Sequence, residues 1–342
     1  MVRLPSLGRR TSLALAALAL STALAGCLRF HLFQVDLPSE MHDQNTKNLA
    51  QLPTDRPPIS AENPLRFAFV SDSHDGYENW HNIVAELNQR TDIELVVHSG
   101  DFTDFGGQQE FIWFHEDAEH LTVPILVGTG NHDGLTNGTI LFRNMFGADN
   151  FDFSYRGVHF LFFNTNTLEW DRDAPDLDWL AQRKVLGTGG SSGGGSAGGA
   201  GSPGAAGTGS SGGAGAGTNV PRDPHPPTVI VTHHPPRSKP HLTSAVTLRY
   251  WKLLEVLPVD LYLYGHIHDE FKATLVNGVQ FVKARTALQG AYSILTTTDG
   301  YTFSIENCLF GEGCTPGAFE DNVPIPGVFP EDDTTLSPDE YE

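Results

Sequence analysis

Short apolar runs alternate with amphipathic segments through the middle of the chain. The runs at 65–71, 93–98, 124–127 and 228–232 are rich in β-branched and aromatic residues and predict strands. Between them, apolar residues recur with helical spacing. These segments predict helices over 79–90, 109–121, 140–146, 176–185 and 244–256. Such alternation predicts an α/β fold in which helices cover the faces of a sheet.

The pattern changes in the last third of the chain. Asn277-Gly278 and Asp299-Gly300 are dipeptides that favour tight hairpin turns, and alternating apolar strands flank each of them. A second, more antiparallel sheet is expected here. The two sheets together predict a β-sandwich flanked by helices, in one domain spanning 65–310.

The chain begins with an apparent export signal. Arginines precede a short apolar run at 13–20, which is followed by small residues. The run is too short to cross a bilayer core of about 30 Å. It ends in Leu-Ala-Gly-Cys at 24–27, which resembles the lipobox of bacterial lipoproteins, where the cysteine is lipidated. The sequence therefore predicts a signal peptide over 1–26, a lipid anchor at Cys27 and a tether over 27–64. An ordinary cleaved signal is the alternative.

Cysteine usage fits an exported protein on the periplasmic or extracellular side of a membrane. Lipidation of Cys27 leaves Cys308 and Cys314, which lie close together in the sequence. An even number of remaining cysteines in an oxidising compartment predicts a disulfide.

Composition restricts the partners. The 342 residues include 41 acidic and 21 basic ones, which gives a formal net charge of −20. This charge repels nucleic acid backbones, so a nucleic acid partner is not expected. Residues 187–219 form an uncharged tract of Gly, Ser, Ala and Thr, which predicts a disordered insertion in a surface loop. Residues 311–342 are expected to form an acidic tail.

Five short polar motifs follow predicted strands. They are Asp72-Ser73-His74, Gly100-Asp101-Phe102-Thr103-Asp104, Gly130-Asn131-His132-Asp133, Thr232-His233-His234 and Gly265-His266-Ile267-His268. The carboxyl ends of strands in an α/β sheet form its ligand-binding edge. Seven side chains of these motifs are candidate metal ligands: Asp72, His74, Asp101, Asn131, His233, His266 and His268. Carboxylate, amide and imidazole donors without thiolates suit Fe, Mn or Zn and argue against a structural zinc site.

Seven ligands are too many for one tetrahedral ion. Two ions that share a bridging carboxylate would use all of them. A pair of metals about 3.5–4 Å apart clamps a phosphorus centre for in-line displacement, with a bridging hydroxide as the nucleophile. The residues therefore predict metal-dependent hydrolysis of a small phosphomonoester or phosphodiester substrate.

The ordered set D-x-H, G-D-x-x-D, G-N-H-D, H and G-H-x-H resembles the calcineurin-like metallophosphoesterase superfamily, over residues 65 to about 282. The resemblance implies a four-layer α/β-β-α sandwich with two mixed β-sheets. It implies that Asp101 bridges two metals. One metal would be held by Asp72, His74, Asp101 and His268, and the second site would be completed by Asn131, His233 and His266. The resemblance also implies that His132 contacts the phosphate, stabilising charge or protonating the leaving oxygen, and that Asp133 orients its imidazole.

Two other functions stay open. The same motifs occur in cyclic-nucleotide phosphodiesterases, and a surface lipoprotein could use this fold only as a metal-binding scaffold. The presence of Asp101 and His132 favours an enzyme, because a scaffold could lose either residue without harm. The sequence does not predict the oligomeric state.

Other polar residues near the motifs are less informative. His98 is expected in the core rather than as a ligand, and Asp104 is expected to bond loop backbone. His234 has either a substrate contact or a structural role. Arg237, Lys239 and His241 could meet a phosphate or simply be solvated.

Overall fold

The computed structural model describes residues 34–186, 225–238, 241–276 and 278–320. The predicted signal peptide, Cys27 and the insertion at 187–219 lie outside the described residues, as does most of the predicted acidic tail. Every helix in the described part of the chain is too short or too polar to span a membrane.

In chain order, the elements are α1 (Gln44–Leu49), β1 (Leu65–Val70), α2 (Tyr77–Leu87), β2 (Leu95–His98), α3 (Gln108–Ala118), β3 (Ile125–Val127), α4 (Gly138–Met145), β4 (Phe151–Tyr155), β5 (Val158–Phe162), α5 (Leu177–Leu186), β6 (Thr228–Val231), α6 (Ser244–Val256), β7 (Leu261–Tyr264), β8 (Lys272–Val276), β9 (Val279–Lys283), β10 (Ala291–Thr297), β11 (Phe303–Leu309) and β12 (Gly313–Gly317). The predicted helices, the four strands predicted between them and the two predicted hairpins, β8-β9 and β10-β11, are present, with boundaries shifted by a few residues.

The strands form two mixed, six-stranded sheets. The first has the order β12-β11-β10-β1-β2-β3, in which β1, β2 and β3 are parallel. The second has the order β4-β5-β6-β7-β9-β8, in which β5, β6, β7 and β9 are parallel. The parallel strands of each sheet bring several loops to one edge, where a site can be assembled.

The sheets pack face to face and helices cover their outer faces. Along β1, Phe67 and Phe69 point between the sheets, whereas Ala68 and Val70 pack under the helices of the first sheet. Because both faces are buried, the strand is apolar throughout rather than alternating. Leu161 and Ile230 belong to a third cluster beneath the helices of the second sheet. The architecture is therefore the predicted four-layer α/β-β-α sandwich.

The segment expected to be a plain tether packs on the domain. Its helix α1 places Asn45 at the edge strand β3, where the side chain accepts from the Val127 N–H and donates to the Val127 carbonyl, both at 2.9 Å. The amide thereby pairs the edge strand as another strand would. Arg156 donates to the carbonyls of Pro57, Asn63 and Pro64, which holds the rest of the segment.

The far end of the first sheet is closed by a disulfide. Cys308 of β11 and Cys314 of β12 face each other across the hairpin and are bonded, as predicted. Strand β12 occupies residues that were expected to begin the acidic tail, because pairing with β11 satisfies their backbone groups.

Candidate metal centre

The polar motifs lie where β1, β2, β3, β6 and β7 end. Four of the candidate ligands, Asp72, His74, Asp101 and His266, have φ angles of 56°, 44°, 54° and 70°. A non-glycine residue in this left-handed region costs about 1–3 kcal/mol and persists only where the surroundings enforce it. The loops do so by bonding to each other, since Asp72 N–H donates to Gly100 and His74 N–H donates to the Asp101 carbonyl.

Two glycines allow the loops to approach this closely. A β-carbon on Gly265 would lie 1.9 Å from Ser71 Oγ and 2.3 Å from Asp72 Oδ2. A β-carbon on Gly130 would lie 2.0 Å from Asp101 Oδ1. Any larger residue would push apart the carboxylates that the loops bring together. This explains why a glycine opens the third and fifth motifs.

One group of donors comprises Asp72, His74 and His268, whose ligand atoms lie within 4.8 Å of one another. His268 Nε2 is 3.1 Å from Asp72 Oδ1 and 3.2 Å from His74 Nε2. Asp72 and His74 are buried, whereas His268 is exposed at the mouth. The group therefore has one open side.

The second group comprises Asp101, His233 and His266, with ligand atoms again within 4.8 Å. His233 Nε2 is 2.9 Å from Asp101 Oδ2, and the same oxygen is 3.8 Å from His74 Nε2 of the first group. Asn131 Oδ1 is buried and has no hydrogen-bond partner among the described residues. The structure thus gathers six of the seven predicted ligands into two adjoining groups, with Asp101 between them and Asn131 next to Gly130 on the β3 loop.

The electrostatics favour positive charge in this centre. Burial raises the pKa of Asp101, but His233 and His74 outweigh it, so the pKa lies well below its ordinary value. Burial lowers the pKa of His233, but the charges of Asp101 and Asp72 raise it to about 9. A cation between these carboxylates would balance their negative charge, as a protonated histidine does.

His132 and Asp133 are arranged differently from the expectation. His132 Nδ1 lies 2.8 Å from the Asp104 carbonyl, so this carbonyl, and not Asp133, orients the ring. The Asp133 carboxylate instead accepts from four backbone N–H groups, those of Gly130, Asp101, Phe102 and Thr103, at 2.8–3.0 Å. Burial raises the pKa of Asp133 to about 7, with the Asp101 charge as the next cause. Both oxygens of Asp133 are thus engaged by backbone amides of the two loops rather than by the imidazole.

Sequence reasoning underestimated Asp104. Its carboxylate Oδ1 lies 3.1 Å from His74 Nδ1, while its carbonyl holds His132. A carboxylate on the far nitrogen of a metal-binding imidazole is a recurrent feature of metal sites, because it fixes the ring and raises its basicity. The signal available in the sequence was the second aspartate of G-D-x-x-D. His98, by contrast, lies in the core as predicted, 5.9 Å from the Trp80 ring and 5.2 Å from the Phe114 ring.

His234 and His241 also lie at the centre. Their ring centroids are 4.5 Å apart, and both rings lie within 5.0 Å of His266. Burial is the main cause that lowers the pKa of His241, while the charge of Glu169 opposes it. Lys239 lies outside the described residues.

The donor set fits metal ions. Carboxylate oxygen and imidazole nitrogen converge from separate loops, and the orphaned Asn131 amide oxygen offers a further buried donor. Such mixed oxygen and nitrogen donors are those that Fe, Mn and Zn accept in open sites.

Comparison with solved structures finds weak likenesses. A purple acid phosphatase from yellow lupin seeds is 14% identical, with 75% of this chain and 53% of that chain covered and a TM-score of 0.48. The chain thus spans about half the length of the lupin protein. The GAP50 anchor of the Plasmodium inner membrane complex is 11% identical, with coverages of 76% and 90% and a TM-score of 0.48. A dimetal phosphatase from Danio rerio is 12% identical, with coverages of 73% and 96% and a TM-score of 0.45.

The sequence family is clear despite these low identities. No curated protein matches the chain in sequence. The family model described as calcineurin-like phosphoesterase matches residues 65–270, which is more than half of the chain and includes all five motifs. The chain therefore belongs to the calcineurin-like phosphoesterase family.

Proposed function

We propose that this protein hydrolyses small phosphoesters with two metal ions. The observation that carries the proposal is the buried Asp101 carboxylate, whose Oδ2 lies 2.9 Å from His233 Nε2 in its own donor group and 3.8 Å from His74 Nε2 of the other group. Asp72, His74 and His268 would hold one ion, and Asn131, His233 and His266 the other, with Asp101 shared. Ions of Fe, Mn or Zn, when bound, supply Lewis-acid stabilisation of the phosphoryl oxygens and lower the pKa of water.

In this proposal, His132 acts on the substrate. Because its Nδ1 is committed to the Asp104 carbonyl, Nε2 is the nitrogen left to meet the phosphate. A proton on Nε2 would stabilise developing charge or pass to the leaving oxygen. Asp133 supports this step indirectly, because it fixes the backbone of the loops that carry Asp101 and His132.

The substrate is expected to be small. A net charge of −20 opposes the approach of a nucleic acid, which carries one charge per nucleotide. His268 is exposed, so a small phosphoester could approach the first donor group from this side. Whether the ester is a monoester or a diester is decided by the assay.

The test is hydrolysis by the full-length chain loaded with Mn, Fe or Zn, using an aryl phosphomonoester and an aryl phosphodiester. We expect turnover that requires metal and is abolished in Asp101→Asn, because an amide has neither the charge nor the second donor oxygen needed to bridge two ions. Asp117→Asn, a carboxylate paired with His81 on the surface, is the matched control and should keep wild-type turnover. Two bound metals without turnover of either ester, or turnover that survives in Asp101→Asn, would argue for a metal-binding scaffold.

We also propose that the protein acts outside the cytoplasm, anchored through Cys27. Support comes from the apolar run at 13–20 and the lipobox-like residues 24–27. Expression in a bacterium with radiolabelled palmitate should label the wild-type chain in the membrane fraction. Cys27→Ser should lose the label, while Cys308→Ser should keep it. Equal labelling of wild type and Cys27→Ser would refute the anchor.

A further inference from the structure

We propose that His234, His241 and His266 form a third cation site, of the kind that takes Zn²⁺, beside the two donor groups of the proposed hydrolytic centre. Their three ligand atoms lie within 4.8 Å of one another. The ring centroids are 4.1 Å apart for His234 and His266, 4.5 Å for His234 and His241, and 5.0 Å for His241 and His266. The cluster joins the loop after β6 to the loop after β7.

The environment of His234 indicates that its ring binds a cation. The side chain is fully buried, and neither Nδ1 nor Nε2 has a hydrogen-bond partner among the described residues. Burying a polar group without a hydrogen-bond partner is unfavourable, so native proteins rarely leave one unpaired. The rings packed around His234 are those of His233, His241 and His266. A cation shared by neighbouring imidazoles would satisfy a nitrogen of this ring.

The donor chemistry separates this site from the other two. Both groups of the hydrolytic centre contain a carboxylate, whereas this one contains imidazoles alone. Three imidazoles with an open fourth position are a recurrent zinc arrangement, while Mn and other hard ions prefer oxygen donors. Glu169 lies near enough for its charge to act on His241, and its Oε2 is buried without a partner in the described structure. This carboxylate adds negative potential beside the proposed ion.

His266 belongs to both this site and the second group of the hydrolytic centre. An imidazole has two ring nitrogens, so one ring can serve both ions.

His241 gives the cleanest test, because it belongs to this group and to no other among the described residues. The experiment counts zinc per chain by native mass spectrometry of the full-length protein equilibrated with Zn²⁺ alone. We expect three ions in the wild type, two in His241→Ala and three in His81→Ala, an exposed histidine paired with Asp117. A wild type with two ions or fewer, or a His241→Ala variant with three, would overturn the proposal. Loss of the third ion in both variants would mean an adventitious ion only.

A second measurement uses only the wild-type protein, so misfolding of a variant cannot affect its result. Diethylpyrocarbonate modifies accessible imidazoles, and His241 is partly exposed. Raising zinc from two to three equivalents should slow modification of His241 several-fold and leave His81 unchanged. An unchanged rate at His241 would refute the site. Neither readout depends on hydrolysis, so failure of this inference would leave the proposed phosphoesterase activity standing.

Discussion

Single residues outside the ligand set do much of the positioning in this centre. The Asp133 carboxylate accepts from four backbone N–H groups. Asp104 places its carboxylate 3.1 Å from His74 Nδ1 and its carbonyl 2.8 Å from His132 Nδ1. The motifs predicted which candidate donors come together, because each of them lies within four residues of a strand end. They did not predict the partner of His132, because that depends on how two loops of separate strands bond to each other, which motif spacing does not encode.

The geometry at His132 predicts a variant that separates chemistry from metal binding. His132→Ala keeps the backbone N–H that donates to Asp101 Oδ1 at 2.9 Å, so both donor groups should stay intact. Loss of an acid–base group typically costs about 10²–10⁴-fold in turnover. We expect a fall of this size in kcat, measured with the aryl ester that the wild type prefers, and unchanged metal content. His120→Ala, an exposed histidine, is the control. Depleted metal in His132→Ala would assign His132 a structural role instead.

Asp104 should act through His74. Asp104→Ala removes the oxygen that lies 3.1 Å from His74 Nδ1. Removal of such a supporting carboxylate typically weakens metal binding by about 10–100-fold. Asp104→Asn, which keeps an acceptor oxygen without the charge, should fall between the wild type and the alanine variant in a calorimetric metal titration. Asp117→Ala serves as the surface control. Equal affinities across the series would exclude the positioning role.

At the scale of helices and strands, the sequence predicted those segments in which apolar residues recur with a regular period. Helix α2 buries Trp80, Ile83, Val84 and Leu87, which repeat at helical spacing. Strands β4, β5 and β7 were not predicted, nor was α1. Helix α1 has six residues, too few for a helical period to emerge. Strands β4 and β5 are joined by Arg156-Gly157, where Arg156 has a φ of 50° that its hydrogen bonds enforce rather than its type.

Helix α1 should stabilise the sheet through one side chain. Asn45→Ala leaves the Val127 N–H and carbonyl at the edge of the first sheet without their partner. Unsatisfied buried groups cost about 1–3 kcal/mol each, and partial hydration of an edge lowers this cost. We expect the free energy of unfolding to fall by about 2 kcal/mol in urea denaturation. Gln51→Ala, which removes an exposed 3.4 Å bond to Asn48, should change it by less than about 0.5 kcal/mol.

An ion cluster ties α5 to β4 and predicts a pH dependence. Asp152 contacts His159 at 3.0 Å and Arg183 of α5 at 3.0 Å. The bond from His159 is the main cause that lowers the pKa of Asp152, and Arg183 adds to it against burial. Because the folded pKa lies below the unfolded one, this stability is present above about pH 4 and is lost as the pH falls through the folded pKa.

The variant Asp152→Asn tests the direction of this pH dependence. At pH 7 we expect a loss of about 1 kcal/mol in the free energy of unfolding, since the site is partly exposed. The difference from wild type should shrink as the pH is lowered from 4 towards 2.5, because the wild-type carboxyl then also becomes neutral. The measurement is urea denaturation in a chelator, so that loss of metal at acid pH does not contribute. A difference that grows below pH 4 would contradict the assignment. Asp178→Asn removes an exposed pair with Arg249 and is the control.

At the scale of the whole molecule, the centre connects the two sheets. Asp72, Asp101 and Asn131 follow strands of the first sheet, whereas His233, His266 and His268 follow strands of the second. Both proposed metal sites therefore draw donors from both sheets. The carboxylates of one sheet and the imidazoles of the other meet at the edge of an otherwise apolar interface, and ions bound there would hold the sheets together.

This arrangement predicts that metal removal destabilises the whole domain rather than one loop. Ligands that bind only the folded state stabilise it by about 2.7 kcal/mol per site at one hundred times the dissociation constant. Chelation of the loaded protein should thus lower the melting temperature in a single cooperative transition, followed by calorimetry. Asp101→Asn should melt near the chelated wild type and respond little to chelator, because an amide at this position cannot bridge two ions. A second, separate transition on chelation would show that the two sheets unfold independently and that metals do not join them.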